Sequence, residues 1–256
     1  DALVAADSPA FDDLATWTGS VVRGPDGGFH LFYTGISREF GDVVQRIGHA
    51  VSADLITWTR IDAPPITADA RWYETYSVTA HEPWRDPWVF YDDAAGAWRM
   101  LITASTAEPS AGTRGCVGTA VSDDLITWSV QPPLTEPSGL HQFEVPQTIV
   151  VDGHAVLVWC MRDVDLGPTA ARPSDRPAIT GTWTAPAASL SGPFQLARAE
   201  PIDVEGTYAG RVVLDRAGSP QLLAFRDRLP DGGFGGSLID PVPLRLTSRG
   251  TLQPVT

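Results

Sequence analysis

Val51-Ser-Ala-Asp-Leu-Ile-Thr-Trp58 returns as Val121-Ser-Asp-Asp-Leu-Ile-Thr-Trp128, 70 residues further along the chain. The likeness extends upstream, where Ile47-Gly-His-Ala50 answers Val117-Gly-Thr-Ala120. A repeat of this length marks one supersecondary unit used more than once. Each copy reads as a short strand, a polar turn and a Trp-bearing outer strand. That is the pattern of a β-propeller blade, and it directs chemistry to the strands around a central axis.

Working outward, four such units can be marked. The first runs from Thr18–Val22 through Phe29–Tyr33 and Ile47–Ser52 to Trp58, and the second from Asp86–Phe90 through Trp98–Thr103 and Cys116–Ser122 to Trp128. The third has Glu144–Val151, Ala155–Trp159, Ile179–Ala185 and Phe194–Ala197; the fourth has Tyr208–Leu214, Gln221–Phe225, Gly236–Asp240 and Leu244–Leu246. Short apolar runs alternate with Asp- and Gly-rich turns such as Pro25-Asp-Gly-Gly28 and Asp152-Gly153, which suit hairpins. No amphipathic helix and no linker interrupt them. The expectation is an all-β, single propeller domain over 1–256, with blades at about 17–60, 84–130, 141–197 and 206–253 and no C-terminal β-sandwich. Long Pro-rich or polar segments, Ile61–Pro87, Gln131–Val145 and Arg162–Arg176, join the units, and connections of that length are commonly functional.

The composition narrows the function. With 31 acidic against 18 basic residues, the net charge of −13 disfavours nucleic acid and anionic membranes as partners. A small neutral ligand such as a carbohydrate fits better. The sequence has no apolar run long enough to span a membrane and no visible signal peptide. It reads as soluble, either cytoplasmic or secreted with its leader removed, and its oligomeric state is left open. Nine Trp are many, and most are expected between sheets. Cys116 and Cys160 are expected as buried thiols. No zinc spacing and no phosphate-binding glycine loop is present, so neither a metal nor a cofactor is expected. Asp92-Asp93 and Asp123-Asp124 read as solvated turns rather than calcium sites.

Two carboxylates stand out. Asp86, in Trp84-Arg-Asp-Pro-Trp88, and Glu144, in His141-Gln-Phe-Glu-Val-Pro146, each precede an apolar strand. Acids at equivalent ends of two inner strands would converge on one channel mouth. A pair in different environments suits glycoside hydrolysis, one as proton donor and one as a charge facing an oxocarbenium-like transition state. For Asp86 the simpler reading is a turn cap paired with Arg85.

These residues carry a resemblance. Trp17-Thr-Gly-Ser-Val21, Arg85-Asp86-Pro87 and Phe143-Glu144-Val-Pro146 resemble, in order and spacing, motifs of glycoside hydrolase family 32, the β-fructofuranosidases, whose fold is a five-bladed β-propeller. The resemblance implies Glu144 as general acid/base and Asp86 as the stabilising carboxylate that binds sugar hydroxyls. It implies that Arg85 holds the ring and tunes the acid, that Trp17 and Ser20 line the pocket, and that His141 and Trp84 are further sugar contacts. The implied activity is cleavage or transfer of fructofuranosyl units of sucrose or fructans, with retention through a covalent intermediate.

Val145 and Gln147 depart from the family pattern, which has Cys and often an acid there. The residues before Trp17 resemble a connector rather than a nucleophile-bearing first blade, so four blades of five are recognisable and no nucleophile is assigned; Asp7, Asp12 and Asp13 are poor substitutes. A fragment, a blade supplied from elsewhere and a non-catalytic binder remain open. A family 43-like arabinan or xylan hydrolase and a carbohydrate-binding propeller are the alternatives in function.

Overall fold

The computed structural model describes residues 2–110, 113–167, 180–229 and 231–255. Its regular secondary structure is almost all strand, and the chain divides into two compact units: residues 1–109 with 114–136, and residues 110–113 with 137–256.

The first unit holds two antiparallel four-stranded sheets. One is β1 (Ala15–Arg23), β2 (Phe29–Ser37), β3 (Gly41–Ser52) and β4 (Thr59–Arg60), in that order. A four-residue helix, α1 (Tyr76–Thr79), lies in the connection to the next blade. The other sheet is β5 (Trp84–Asp92), β6 (Ala97–Ser110), β7 (Thr113–Ser122) and β8 (Ser129–Gln131). Phe32, Ile47, Trp84, Met100, Ile102 and Leu125 form the core of this unit. Each fully buried side chain of this kind contributes roughly 1.5–3 kcal/mol.

The second unit repeats the plan. One sheet comprises β9 (Glu144–Val151), β10 (His154–Met161), β11 (Gly181–Ala187) and β12 (Glu200–Pro201). The other comprises β13 (Thr207–Leu214), β14 (Pro220–Arg228), β15 (Phe234–Leu238), β16 (Val242–Leu246) and β17 (Leu252–Pro254). Val156, Val158, Val212, Leu222 and Leu252 centre its core.

The repeated octapeptide is a turn, and its side chains explain its composition. Asp54 Oδ1 accepts the N–H groups of Ile56 and Thr57 at 2.8 and 2.7 Å, and Ser52 Oγ accepts that of Leu55. Asp124 does the same for Ile126 and Thr127 at 2.8 and 2.7 Å. Leu55 and Leu125 take left-handed φ values of 65° and 64°, a conformation that needs such support. Trp58 and Trp128 close the turn by donating from Nε1 to the carbonyls of Leu55 and Leu125. The tryptophans therefore end the turns, and the outer strands begin one residue later.

Other boundaries also differ from the expectation. Phe194–Ala197 is not a strand: it leads into a 3₁₀ turn at Leu196–Arg198, and the outer strand is β12. Ile179 and residues 168–176 of the preceding connection lie outside the described residues. In the fourth blade the third strand is split. β15 pairs with one half of β14 and β16 with the other, with Pro241 between them. Proline cannot donate to a ladder, so a break there is expected.

One irregularity recurs in all four sheets. On β5, Arg85 pairs with Thr103 and Trp88 with Leu101, three steps against two. The same extra residue lies at Thr16–Gly19 of β1, Glu144–Gln147 of β9 and Tyr208–Arg211 of β13. Each first strand thus carries a β-bulge near its start, a device that bends a strand and re-aims side chains.

Candidate active site

Both singled-out carboxylates sit in these bulges, at different places. Asp86 is the second residue of its bulge and Glu144 the first of its own. Asp86 has φ of 56°, a left-handed conformation that Asp tolerates. The bulge aims its side chain back among hydroxyl groups.

In the first unit, Asp86 is buried and its carboxylate is surrounded by donors. Thr18 Oγ1 donates to Oδ1, and Thr103 Oγ1 donates to Oδ2 at 2.7 Å. Arg85 Nε lies 3.4 Å from Oδ2. The Asp86 backbone N–H donates to Thr34 Oγ1 at 2.9 Å. Arg85 is also anchored by Nη1 donating to Gln45 Oε1 at 3.2 Å.

The remaining residues of this unit take distinct positions. Trp17 is 40% exposed. Ser20 Oγ accepts the Val89 N–H at 3.0 Å and so ties β1 to β5. Trp84, expected as a sugar contact, is instead fully enclosed in the core, 4.8 Å from the Tyr73 ring. It packs and has no surface to offer a sugar. Asp12 is committed to structure as well, accepting from Tyr33 Oη at 2.9 Å and Arg60 Nε at 2.8 Å. Asp13 accepts the Arg38 N–H at 2.7 Å.

In the second unit, Glu144 is half-buried and its Oε2 accepts a hydrogen bond from the Tyr208 phenol. Burial and then the nearby Glu144 charge push the Tyr208 phenol far up, so it stays a donor. Burial raises Asp165 too, and Glu144 adds to that. His141 is exposed, and its backbone N–H donates to the Asp165 carbonyl at 2.7 Å. Beneath Glu144, Cys160 pairs with it across the sheet and is pushed up to about 11, chiefly by burial. Both cysteines are buried free thiols.

Val145, with φ of 52°, holds a conformation that costs a β-branched residue about 1–3 kcal/mol. Arg211 supports it by donating from Nη1 to the carbonyls of Val145 and Pro146, at 3.3 and 2.9 Å. Thr18, Thr103, Tyr208 and Arg211 escaped the sequence reading. Only the strand pairing singles out Tyr208 and Arg211, which flank the fourth bulge as Arg85 and Trp88 flank the second. Among the described residues no group of three or more His, Cys, Asp or Glu is placed to hold a metal ion. Among the described residues no helix is long and apolar enough to cross a membrane.

Four blade sheets, two of them with a candidate acid mounted in the first-strand bulge, define a glycosidase-type β-propeller. The chain belongs to glycosyl hydrolases family 32, whose N-terminal domain it matches over residues 2–229. Three solved structures share the fold. Inulosucrase from Halalkalicoccus jeotgali, bound to kestose, is 20% identical with a TM-score of 0.73, covering 96% of this chain and 71% of its own. Sucrose-6-phosphate hydrolase from Lactobacillus gasseri is 21% identical with a TM-score of 0.71, covering 96% and 50%. A levansucrase of B. subtilis is 16% identical with a TM-score of 0.69, covering 93% and 67%. The chain therefore spans from half to about seven tenths of their lengths. No curated protein matches it in sequence.

Proposed function

We propose that the protein is a glycoside hydrolase that cleaves or transfers fructofuranosyl units of sucrose or fructans. The observation that carries this is the pair of family-matching carboxylates in first-strand bulges, held in contrasting settings. Asp86 is enclosed by hydroxyl and guanidinium groups, whereas Glu144 is half-open and bonded to a phenol. The membership of family 32 supports the reaction class.

In this reading Glu144 gives a proton to the glycosidic oxygen as the C–O bond breaks. Asp86 holds ring hydroxyls and faces the positive charge that develops on the ring. Glu144 then takes a proton from water or an acceptor hydroxyl. Arg85 orients the ring, and Trp17 and His141 offer exposed contacts to the sugar. Ser20 and Trp84 support the site rather than touch it. The covalent step needs a carboxylate nucleophile, and no residue of this chain is assigned that part.

The test is an assay on sucrose, inulin and levan with the parent and Glu144→Gln. The variant should lose at least about 10²-fold in turnover, the scale of general acid catalysis, while sugar binding is kept. Equal turnover in the two proteins removes Glu144 from the mechanism.

A further inference from the structure

We propose that the second unit carries an anion site, built on Arg198 and Arg249 at the turn end of its sheets and suited to a phosphate group on a small apolar body. The site lies apart from Glu144 and does not depend on the fructoside-cleaving reading above.

A cavity of about 360 Å³ opens where three turns meet: the one entering β10 at His154, the 3₁₀ turn at Leu196–Arg198 and the β16–β17 turn at Thr247–Gly250. A volume in this range suits a small ligand. Ala155, Pro186, Ala187 and Leu246 give it an apolar wall. Arg198, Arg249 and His154 bring nitrogen donors, and no Asp or Glu lines it. That lining runs against a chain with 31 acidic and 18 basic residues.

The two guanidinium groups are set in place from distant parts of the chain. Arg198 Nη2 donates to the Arg249 carbonyl at 2.6 Å, and its Nη1 donates to Gln195 Oε1 at 2.8 Å. Both acceptors are neutral, so neither bond cancels the charge. Arg249 Nε lies 3.1 Å from Glu200 Oε1, and Glu200 Oε2 accepts from Thr251 Oγ1 at 2.7 Å. Glu200 offsets one of the two charges from outside the lining, which is left net positive. The turn bearing Arg249 is pinned as well, because Thr247 Oγ1 accepts the N–H groups of Arg249 and Thr251 at 3.2 and 3.3 Å. A planar guanidinium fork matches phosphate oxygens, and two of them favour a doubly charged group over a carboxylate. The apolar wall takes the body that carries it.

The location separates this site from the candidate acid/base. His154 pairs with Val151 at one end of the β9–β10 hairpin, and Cys160 pairs with Glu144 at the other. That length of extended strand measures about 23 Å. An anion at the turn end does not reach Glu144.

The experiment is calorimetry on the full protein with phenyl phosphate, inorganic phosphate and benzoate. Phenyl phosphate should bind, inorganic phosphate more weakly and benzoate more weakly still. Arg198→Gln and Arg249→Gln should each weaken phenyl phosphate at least about tenfold, as expected for loss of a charged hydrogen bond. Both side chains are exposed, so neither change opens the core. Glu144→Gln should bind phenyl phosphate as the parent does. Absence of binding, binding unchanged in both arginine variants, or binding lost in Glu144→Gln overturns the site. Benzoate bound as tightly as phenyl phosphate overturns the phosphate assignment. A second measurement uses the parent alone: the ring resonances of His154 should shift as phenyl phosphate is added. Unmoved resonances at saturation overturn the location.

Discussion

The Gln147 side chain bonds both backbone groups of Val212: Nε2 donates to the carbonyl at 2.7 Å, and Oε1 accepts the N–H at 2.9 Å. One amide thus acts as an extra peptide group between β9 and β13. The site is 1% exposed, so water cannot replace either bond. Gln147→Ala should cost about 2–4 kcal/mol by stranding two backbone groups. Gln147→Glu should cost more at neutral pH, since a buried carboxylate cannot donate to a carbonyl. Urea unfolding of the three proteins checks the order; a Glu variant as stable as the parent would refute it.

His49 makes the first unit sensitive to mild acid. Burial, reinforced by His30, pushes it down to about 4 from 6.5. Its Nε2 lies 2.9 Å from His30 Nδ1, and its ring stacks on Phe32 at 4.3 Å. Asp26 lies 3.7 Å from the far nitrogen of His30. The unfolded chain protonates His49 first, so its contribution is complete above 6.5 and is lost as pH falls toward 4. The loss is on the order of 3 kcal/mol. Thermal melts from pH 7 to 4.5 should fall steeply for the parent and less steeply for His49→Gln. Parallel slopes would show that His49 does not titrate this way.

The two copies of the repeated turn should not be equally important. Asp54 is pulled down to about 2, chiefly by the Thr57 and Ile56 N–H groups, and Asp124 is lowered by the same contacts. What differs is the leucine each turn presents: Leu125 is fully buried, whereas Leu55 is 50% exposed. Asp124→Ala should therefore lower the melting temperature more than Asp54→Ala. Depressed carboxylates stabilise above the unfolded value of 3.8, so the parent's advantage over Asp54→Asn should close as pH falls from 3.8 to about 2. A constant difference across that range would rule out the carboxylate as the cause.

The repeat made the blades legible because Ser, Asp and Trp each have one job in the turn, and that job leaves a sequence trace. The two acids were legible because each precedes an apolar run and, in the case of Asp86, a proline. Trp84 misled because a tryptophan beside a candidate acid looks the same whether it faces a sugar or Tyr73; only tertiary packing separates the two. The split third strand of the fourth blade was obscured for a different reason. Gly236 and Pro241 marked irregularity but not which half of β14 each piece would join. Tyr208 and Arg211 were hidden because a bulge is a mismatch between two strands, and a single strand's pattern does not record it.

The bulge common to the four first strands has an implication for how such a protein can change. Each is a mount with its own backbone bend, occupied by Thr16, Arg85, Glu144 or Tyr208 at the first position and by Trp17, Asp86, Val145 or Ala209 at the second. The bend recurs with four different residues at each of its two positions. Chemistry can therefore be gained, lost or moved by exchanging single residues among eight prepared positions, with no sheet having to refold.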